Sequence, residues 1–183
     1  LKVVAPGTPY DAKGLLKTAI RVDDPVLFIE NATIYQQKGE VPDEEYTLPI
    51  GESKVQREGS DVTLVTYSKM VSYSLEAAEK LKEEDGISVE VIDLRTLRPL
   101  DMDPIIESFK KTNRAVIAEE GWRSYGVGAE VAARIYEEAF DYLDAPIQRV
   151  AQKEVPLPYN ARLEQMALPQ VEDIMNAVRE VLR

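Results

Sequence analysis

The chain has 183 residues, of which 44% are hydrophobic and 30% are charged, and its formal net charge is −11. This composition supports a folded core and argues against intrinsic disorder, while the acidic balance argues against nucleic-acid binding, which needs a basic face. Because the chain has no cysteine and no histidine, disulfides, thiolate nucleophiles and metal sites built on imidazole or thiolate are excluded. We expect no membrane span and no signal peptide.

The first 30 residues predict a strand, a helix and a second strand. Residues 1–4 form a short apolar run, and apolar residues at helical spacing predict an amphipathic helix over 11–20. Thr8 and Asp11 are both candidates for its N-cap. The continuous apolar run at 26–30 is typical of a strand that is covered on both faces. A unit of this size is too small to bury its own core.

A polar segment at 36–48 is predicted to be a linker or surface loop. After it, strand and helix patterns alternate, with a candidate edge strand at 53–58. Strands are predicted at 62–67, 89–97, 115–119 and 147–151, and helices at 72–82, 103–110, 127–140 and 171–182. This alternation predicts a three-layer α/β/α fold with a mostly parallel sheet and helices on both faces.

Two motifs lie near the third strand of this pattern. Gly126-Val127-Gly128 opens a helix, where backbone amides can hold an anion, but Ala132 stands where a third glycine would complete a dinucleotide fingerprint. Close helix–sheet packing is therefore the favoured interpretation. Glu119 and Glu120 end the strand, and because neighbouring strand residues point to opposite faces, a structural or interface role is favoured over paired acid–base chemistry.

Three further features concern recognition. Arg98 could clamp a carboxylate or phosphate, although an ion pair with Asp101 or Asp103 is favoured. The aromatic loop at 122–125 suits a protein interface or burial at a domain junction. The proline-fixed segment at 155–160 could imitate a polyproline ligand, but a rigid connection to the last helix is simpler. These residues alone support a soluble α/β domain with an interaction surface.

Segments in collinear order along nearly the whole chain resemble the E1 β subunits of 2-oxo acid dehydrogenases. They are 1–6, 11–16, 51–55, 91–101, 111–114, 120–122, 126–130, 143–146 and 155–159. Glu120-Gly121-Trp122 and the segment 155–159 are most similar to the pyruvate branch of the family.

The resemblance implies two domains. Residues 1–48 match the C-terminal remnant of the pyrimidine-binding domain, and residues 49–183 match a transketolase C-terminal-like domain with a mostly parallel five-stranded sheet. The family's cofactor-activating Glu, its stacking aromatic residue and its active-site His precede the position that matches Leu1. The resemblance therefore implies no catalytic or cofactor-binding residue in this chain, and it implies that residues outside the chain bind thiamine diphosphate and Mg²⁺.

A potassium site is implied at the end of the first helix. The family's loop uses mainly backbone carbonyls, and here Ala19, Ile20 and Val22 occupy the corresponding positions, with Asp24 where the family has Asn. Oxygen ligands suit a hard cation. Val22 departs from the family's Asp, and an ordinary helix C-terminus is the alternative.

The resemblance also implies partners and an activity. An intact α2β2 E1 enzyme decarboxylates pyruvate and acetylates the lipoyl group of E2, and this segment would contact the E1 α subunit, a second β subunit and the basic subunit-binding domain of the E2 dihydrolipoyl acyltransferase. Asp144 and the terminal carboxylate of Arg183 are the expected E2 contacts. The bacterial cytoplasm is the favoured compartment, with a mitochondrial or plastid matrix for a eukaryotic protein.

Two alternatives remain open. The chain could be a standalone flavodoxin-like module that binds a basic partner without a cofactor, although the opening strand–helix–strand unit would then have no purpose. It could also belong to an acetoin or branched-chain 2-oxo acid dehydrogenase, because substrate choice is decided outside this segment.

Overall fold

The computed structural model describes all residues from 1 to 183. In chain order the elements are β1 (Lys2–Val4), α1 (Pro9–Arg21), β2 (Val26–Phe28), β3 (Lys54–Arg57), β4 (Val62–Thr66), α2 (Met70–Asp85), β5 (Val89–Asp93), β6 (Thr96–Arg98), α3 (Asp103–Thr112), β7 (Ala115–Trp122), α4 (Val127–Ala139), β8 (Gln148–Gln152), α5 (Ala161–Ala167) and α6 (Val171–Val181). Single 3-10 turns lie at Ala32–Ile34 and Phe140–Tyr142.

The strands form two sheets. The larger has the order β3–β5–β4–β7–β8, in which only β3 runs antiparallel to its neighbour. The smaller has the order β2–β1–β6, with β1 parallel to β2 and antiparallel to β6. The predicted mostly parallel five-stranded sheet is confirmed, including the edge strand near residues 53–58.

The period of two along the central strands divides the core into two layers. Val62 and Leu64 of β4 face the layer that contains α2 and α6, whereas Val65 faces the layer that contains α3 and α4. Every residue of β4 is buried, as expected for a strand covered on both faces. The three-layer α/β/α prediction is therefore confirmed.

The segment at 36–48 contains no helix or strand, as predicted, yet it packs on α1. The rings of Tyr46 and Tyr10 stack with centroids 4.6 Å apart, and the Tyr46 hydroxyl donates to the Tyr10 carbonyl at 2.9 Å. A side chain at Gly14 would collide with Leu48, because an added Cβ would lie 2.6 Å from its Cγ. This segment therefore covers α1 closely.

The single strand predicted over 89–97 is wrong. The chain leaves the large sheet after Asp93, turns at Arg95 with φ of 56°, and enters the small sheet at Thr96. The carbonyl of Arg95 accepts the Ala5 amide at 2.9 Å, which ties this turn to the end of β1. The domain division at residues 48 and 49 stays a prediction, while β6 supplies a strand from the second segment to the small sheet.

Helix α5 was not predicted from the sequence. It has seven residues, too few for apolar periodicity to identify a helix. Asn160 starts it by accepting the amides of Arg162 and Leu163 at 3.0 and 3.3 Å. None of the six helices combines the length and apolar character that spanning a membrane requires.

Candidate functional site

A buried ion pair joins the first helix to the turn between the two sheets. Asp11, in the first turn of α1, is fully buried, and its carboxylate accepts the Arg95 guanidinium at 2.5 Å. Thr8 is the N-cap of α1: its hydroxyl accepts the Asp11 amide at 3.1 Å and donates to the Asp11 carboxylate at 2.5 Å. Breaking such a pair leaves an uncompensated buried charge, which costs about 3–5 kcal/mol.

A second buried carboxylate shares this junction. Asp93 accepts the Arg95 backbone amide at 2.9 Å, and the Gln56 amide lies 3.3 Å from Asp93 and 3.4 Å from Asp11. Burial, followed by the negative charge of Asp11, raises the pKa of Asp93 to about 7. Only one guanidinium, that of Arg95, lies at this junction with the two carboxylates.

A third carboxylate lies at the carboxyl edge of the large sheet. Glu119 at the end of β7 is 1% exposed and accepts the Gly128 amide at 3.1 Å, Arg149 at 3.2 Å and the Tyr67 hydroxyl at 3.4 Å. Burial and the negative charge of Glu119 raise the pKa of Tyr67. Glu119 therefore occupies the start of α4, where backbone amides favour a negative group.

The close-packing interpretation of the Gly126-Val127-Gly128 motif is confirmed. A Cβ on either glycine would lie 2.6 Å from a Glu119 carboxylate oxygen. The chain's own carboxylate fills the place that an external phosphate would take.

Glu119 and Glu120 diverge, as predicted for adjacent strand residues. Glu120 is half-buried and accepts the Asn31 amide at 2.6 Å and the Lys69 ammonium at 3.4 Å. Asn31 starts the 3-10 turn after β2. Glu120 is thus a second polar contact between the opening unit and the large sheet.

The aromatic loop is exposed on the surface of this chain. Trp122 is 48% exposed and Tyr125 is fully exposed. Ser124 donates its amide at 3.0 Å and its hydroxyl at 2.5 Å to Glu154, which joins this loop to the segment after β8. Further exposed apolar side chains follow in that segment and in α5: Val155, Leu157, Tyr159, Leu163 and Met166. We refer to these five residues with Trp122 and Tyr125 as the apolar surface.

The predicted potassium ligands lie at the C-terminal end of α1. The Val22 amide donates to the Thr18 carbonyl at 3.1 Å and caps the helix. The carbonyls of Ala19, Ile20 and Val22 accept no backbone hydrogen bond from the chain. Asp24 forms an ion pair with Lys2 at 3.0 Å, so an ammonium already contacts this predicted ligand.

One predicted docking residue, Asp144, contacts Arg114, and the other, Arg183, ends the chain. Asp144 is half exposed and lies 3.5 Å from the Arg114 guanidinium, which also donates to the Val181 carbonyl at 3.0 Å. Arg183 follows two residues later and donates its amide to the Glu180 carbonyl at 3.3 Å. Arg114 therefore links Asp144 to the last turn of the chain.

The predicted ion pair of Arg98 with Asp101 or Asp103 is wrong. Arg98 is exposed and forms no ion pair, while Asp101 accepts the Ser53 amide at 2.8 Å. The sequence also did not predict the pairing of Arg95 with Asp11. The available signal was the placement of Asp93 and Arg95 inside an otherwise apolar run, which indicates buried charges that need partners.

Comparison with known proteins identifies the architecture independently. The model of the family described as "Transketolase, C-terminal domain" matches residues 51–174. A solved structure described as "Split gene transketolase, inactive beta4 tetramer" superposes with a TM-score of 0.79 at 27% identity and covers 99% of this chain and 57% of that one.

Curated relatives are similar over nearly the entire sequence. The mitochondrial pyruvate dehydrogenase E1 component subunit beta-1 of Arabidopsis thaliana is 55% identical over 181 residues, which is 97% of this chain and 50% of the relative. The pyruvate dehydrogenase E1 component subunit beta of Rickettsia felis is 54% identical, covering 99% of this chain and 55% of the relative. The chain thus spans about half the length of these relatives.

Replacing Asp93 with Asn tests the buried junction. The pKa of Asp93 rises from its ordinary value of 3.8 to about 7 on folding, so the contribution of this group to stability is complete below 3.8 and is lost as pH rises through 7. We expect D93N to show a flatter dependence of the unfolding free energy on pH over that range, and to be more stable than wild type at about pH 8.

Urea unfolding at several pH values measures this effect, with D43N at an exposed position as the matched control. Identical pH profiles for the wild type and D93N would contradict the assignment of a raised pKa to Asp93.

Proposed function

The chain belongs to the transketolase C-terminal domain family, and on that premise we propose that it is the C-terminal part of the β subunit of a thiamine-diphosphate-dependent pyruvate dehydrogenase E1. The observation that carries the proposal is the identity of 54–55% to curated E1 β subunits over nearly the whole chain. The intact α2β2 enzyme would decarboxylate pyruvate oxidatively and acetylate E2 lipoyl groups reductively. This segment would supply assembly surfaces.

The buried carboxylates of this chain are engaged by other groups of the same chain. No group of three carboxylate, imidazole or thiolate side chains comes together to hold a metal ion, and the three most buried carboxylates are already engaged by Arg95, Gln56, Gly128 and Arg149. We therefore assign Mg²⁺ and thiamine diphosphate to other parts of the enzyme and derive no catalytic step from this chain.

The apolar surface supports the assembly role. Large contiguous patches of exposed apolar side chains commonly mark protein–protein interaction sites. Trp and Tyr are enriched at such interfaces. We propose that contacts with the E1 α subunit and a second β subunit use this surface. The relatives' names include mitochondrial and bacterial proteins, so the proposed compartment is the bacterial cytoplasm or the mitochondrial matrix.

The activity proposal is tested with the β subunit that contains this segment, co-expressed with its α subunit. We expect release of CO₂ from pyruvate that depends on thiamine diphosphate, and no release by the 183-residue chain alone. Acetoin and branched-chain 2-oxo acids serve as competing substrates. A preference for either would reassign the substrate. Decarboxylation by the isolated chain would contradict the proposal that residues outside this chain supply the chemistry.

We propose that K⁺ binds at the end of α1 through the carbonyls of Ala19, Ile20 and Val22, with Asp24 nearby. The three carbonyls accept no backbone hydrogen bond within the chain, and helix C-termini carry partial negative charge that favours a cation. Lys2 competes for Asp24 at 3.0 Å, so backbone oxygens would provide most of the ligation.

Saturating K⁺ should stabilise the chain, because a ligand that binds only the folded state adds RT ln(1 + [L]/Kd), about 1.4 kcal/mol when [L] is about ten times Kd. Thermal unfolding in KCl against tetramethylammonium chloride at equal ionic strength measures the difference. D24N should reduce the K⁺ effect, and D43N should not. Equal melting temperatures in the two salts would contradict the site.

We propose that Asp144 and the terminal carboxylate of Arg183 dock the basic subunit-binding domain of E2. The net charge of −11 favours a basic partner. Arg114 contacts Asp144 and the Val181 carbonyl, so it joins Asp144 to the last turn of α6.

Calorimetric titration with that E2 domain tests the docking proposal at low and at physiological salt. We expect the D144N variant to bind the E2 domain about tenfold more weakly than the wild type, a loss of about 1.4 kcal/mol, because a charged contact is removed. Higher salt should weaken binding by the wild type. The matched control is D141N, which removes an unpaired carboxylate three residues away. Absence of heat at low salt, or equal weakening by both variants, would rule out this surface.

A further inference from the structure

An open cleft of about 610 Å³ lies between β8, α5 and the start of α6. Its lining includes three cationic residues, Arg149, Lys153 and Arg162, and one acidic residue, Asp173. We call it the basic cleft. A positive cleft is unexpected on a chain with a net charge of −11, and its volume lies within the range of small-molecule sites, about 300–1,000 Å³.

Two carboxylates near the basic cleft, those of Asp173 and Glu154, are held by contacts within the chain. Asp173 accepts the Gln170 amide at 2.8 Å in the capping box of α6. Glu154, the residue after Lys153, is held by Ser124 at 2.5 Å. Lys153 and Arg162 form no ion pair within the chain. Two cations therefore remain available to a ligand.

Arg149 lines the cleft, but its guanidinium is occupied within the chain by Glu119 and by the Arg123 carbonyl. Its terminal nitrogen is 3.2 Å from Glu119, and its Nε is buried with no hydrogen-bond partner. A buried donor without a partner is costly. Glu119 balances the charge of Arg149, so the cations left to a ligand are Lys153 and Arg162.

The walls of the cleft are held in place without a ligand. The Lys153 amide donates to the Ala167 carbonyl at 2.9 Å, which ties the end of β8 to the end of α5. The Gln170 side chain donates to the carbonyls of Gln165 and Leu168 at 3.2 and 3.0 Å. A site whose walls are already ordered loses less conformational entropy when it binds.

From these observations we propose that the basic cleft binds an organic phosphate of about nucleotide size. Arginine forks and lysine ammonium groups are suited to phosphate oxygens, and the apolar wall residues Val150 and Leu168 would contact the organic part. The proposal does not depend on the function proposed above, because no thiamine or subunit contact enters it.

The test is calorimetric titration of the 183-residue chain with ADP and with inorganic pyrophosphate at low salt. We expect ADP to bind with a Kd on the order of 0.1–1 mM, more tightly than pyrophosphate, because only ADP offers a base to the apolar wall. The double variant K153Q/R162Q should weaken ADP binding at least about tenfold. The double variant K82Q/R98Q, which removes two unpaired exposed cations elsewhere, should leave it unchanged, and circular dichroism verifies folding of both.

Several outcomes would overturn the proposal. They are no binding of ADP at low salt, equal weakening by the two double variants, and ADP binding no tighter than that of pyrophosphate. Binding of a poly-glutamate peptide without binding of ADP would instead identify the cleft as a surface for acidic proteins. The ADP titrations are made on the isolated chain, whereas the E1 activity test uses the co-expressed subunits. A negative activity test therefore does not change the interpretation of the titrations.

Discussion

Arg95 contacts Asp11 across 84 residues of sequence, and the relation between the two sheets depends on this buried pair. Asp11 belongs to the helix of the opening unit, while Arg95 occupies the turn at which the chain leaves the large sheet for the small one. Because water cannot solvate either buried charge, each side chain requires the opposite charge of the other to offset the cost of its burial. The pair therefore fixes the opening unit, which cannot bury its own core, against the larger domain.

The same physical rule operates at the carboxyl edge of the large sheet. Glu119 is buried and charged, so it requires donors, and it obtains them from the start of α4, from Arg149 and from Tyr67. This edge is where parallel sheets commonly bind ligands. Here an internal carboxylate fills the helix start, which fits a segment whose proposed role is assembly rather than chemistry.

The proposed binding surfaces differ in charge. The chain is acidic overall, which favours a basic partner near Asp144, while Lys153 and Arg162 leave one cleft positive. The apolar surface from Trp122 to Met166 connects to this cleft through Met166. A single face thus combines apolar area suited to subunit contact with cations suited to a phosphate.

Local pattern by itself determined the central strands, the main helices and the two core layers, because alternation in β4 and helical spacing in α1 depend only on neighbouring residues. It also identified the close packing of Gly128, since small residues at a helix start permit it. Tertiary structure alone decided that residues 89–97 divide between two sheets, that Arg95 pairs with Asp11, and that Arg98 has no partner. These outcomes depend on which distant strand or charged group lies nearby in the folded chain, and no local periodicity carries that information.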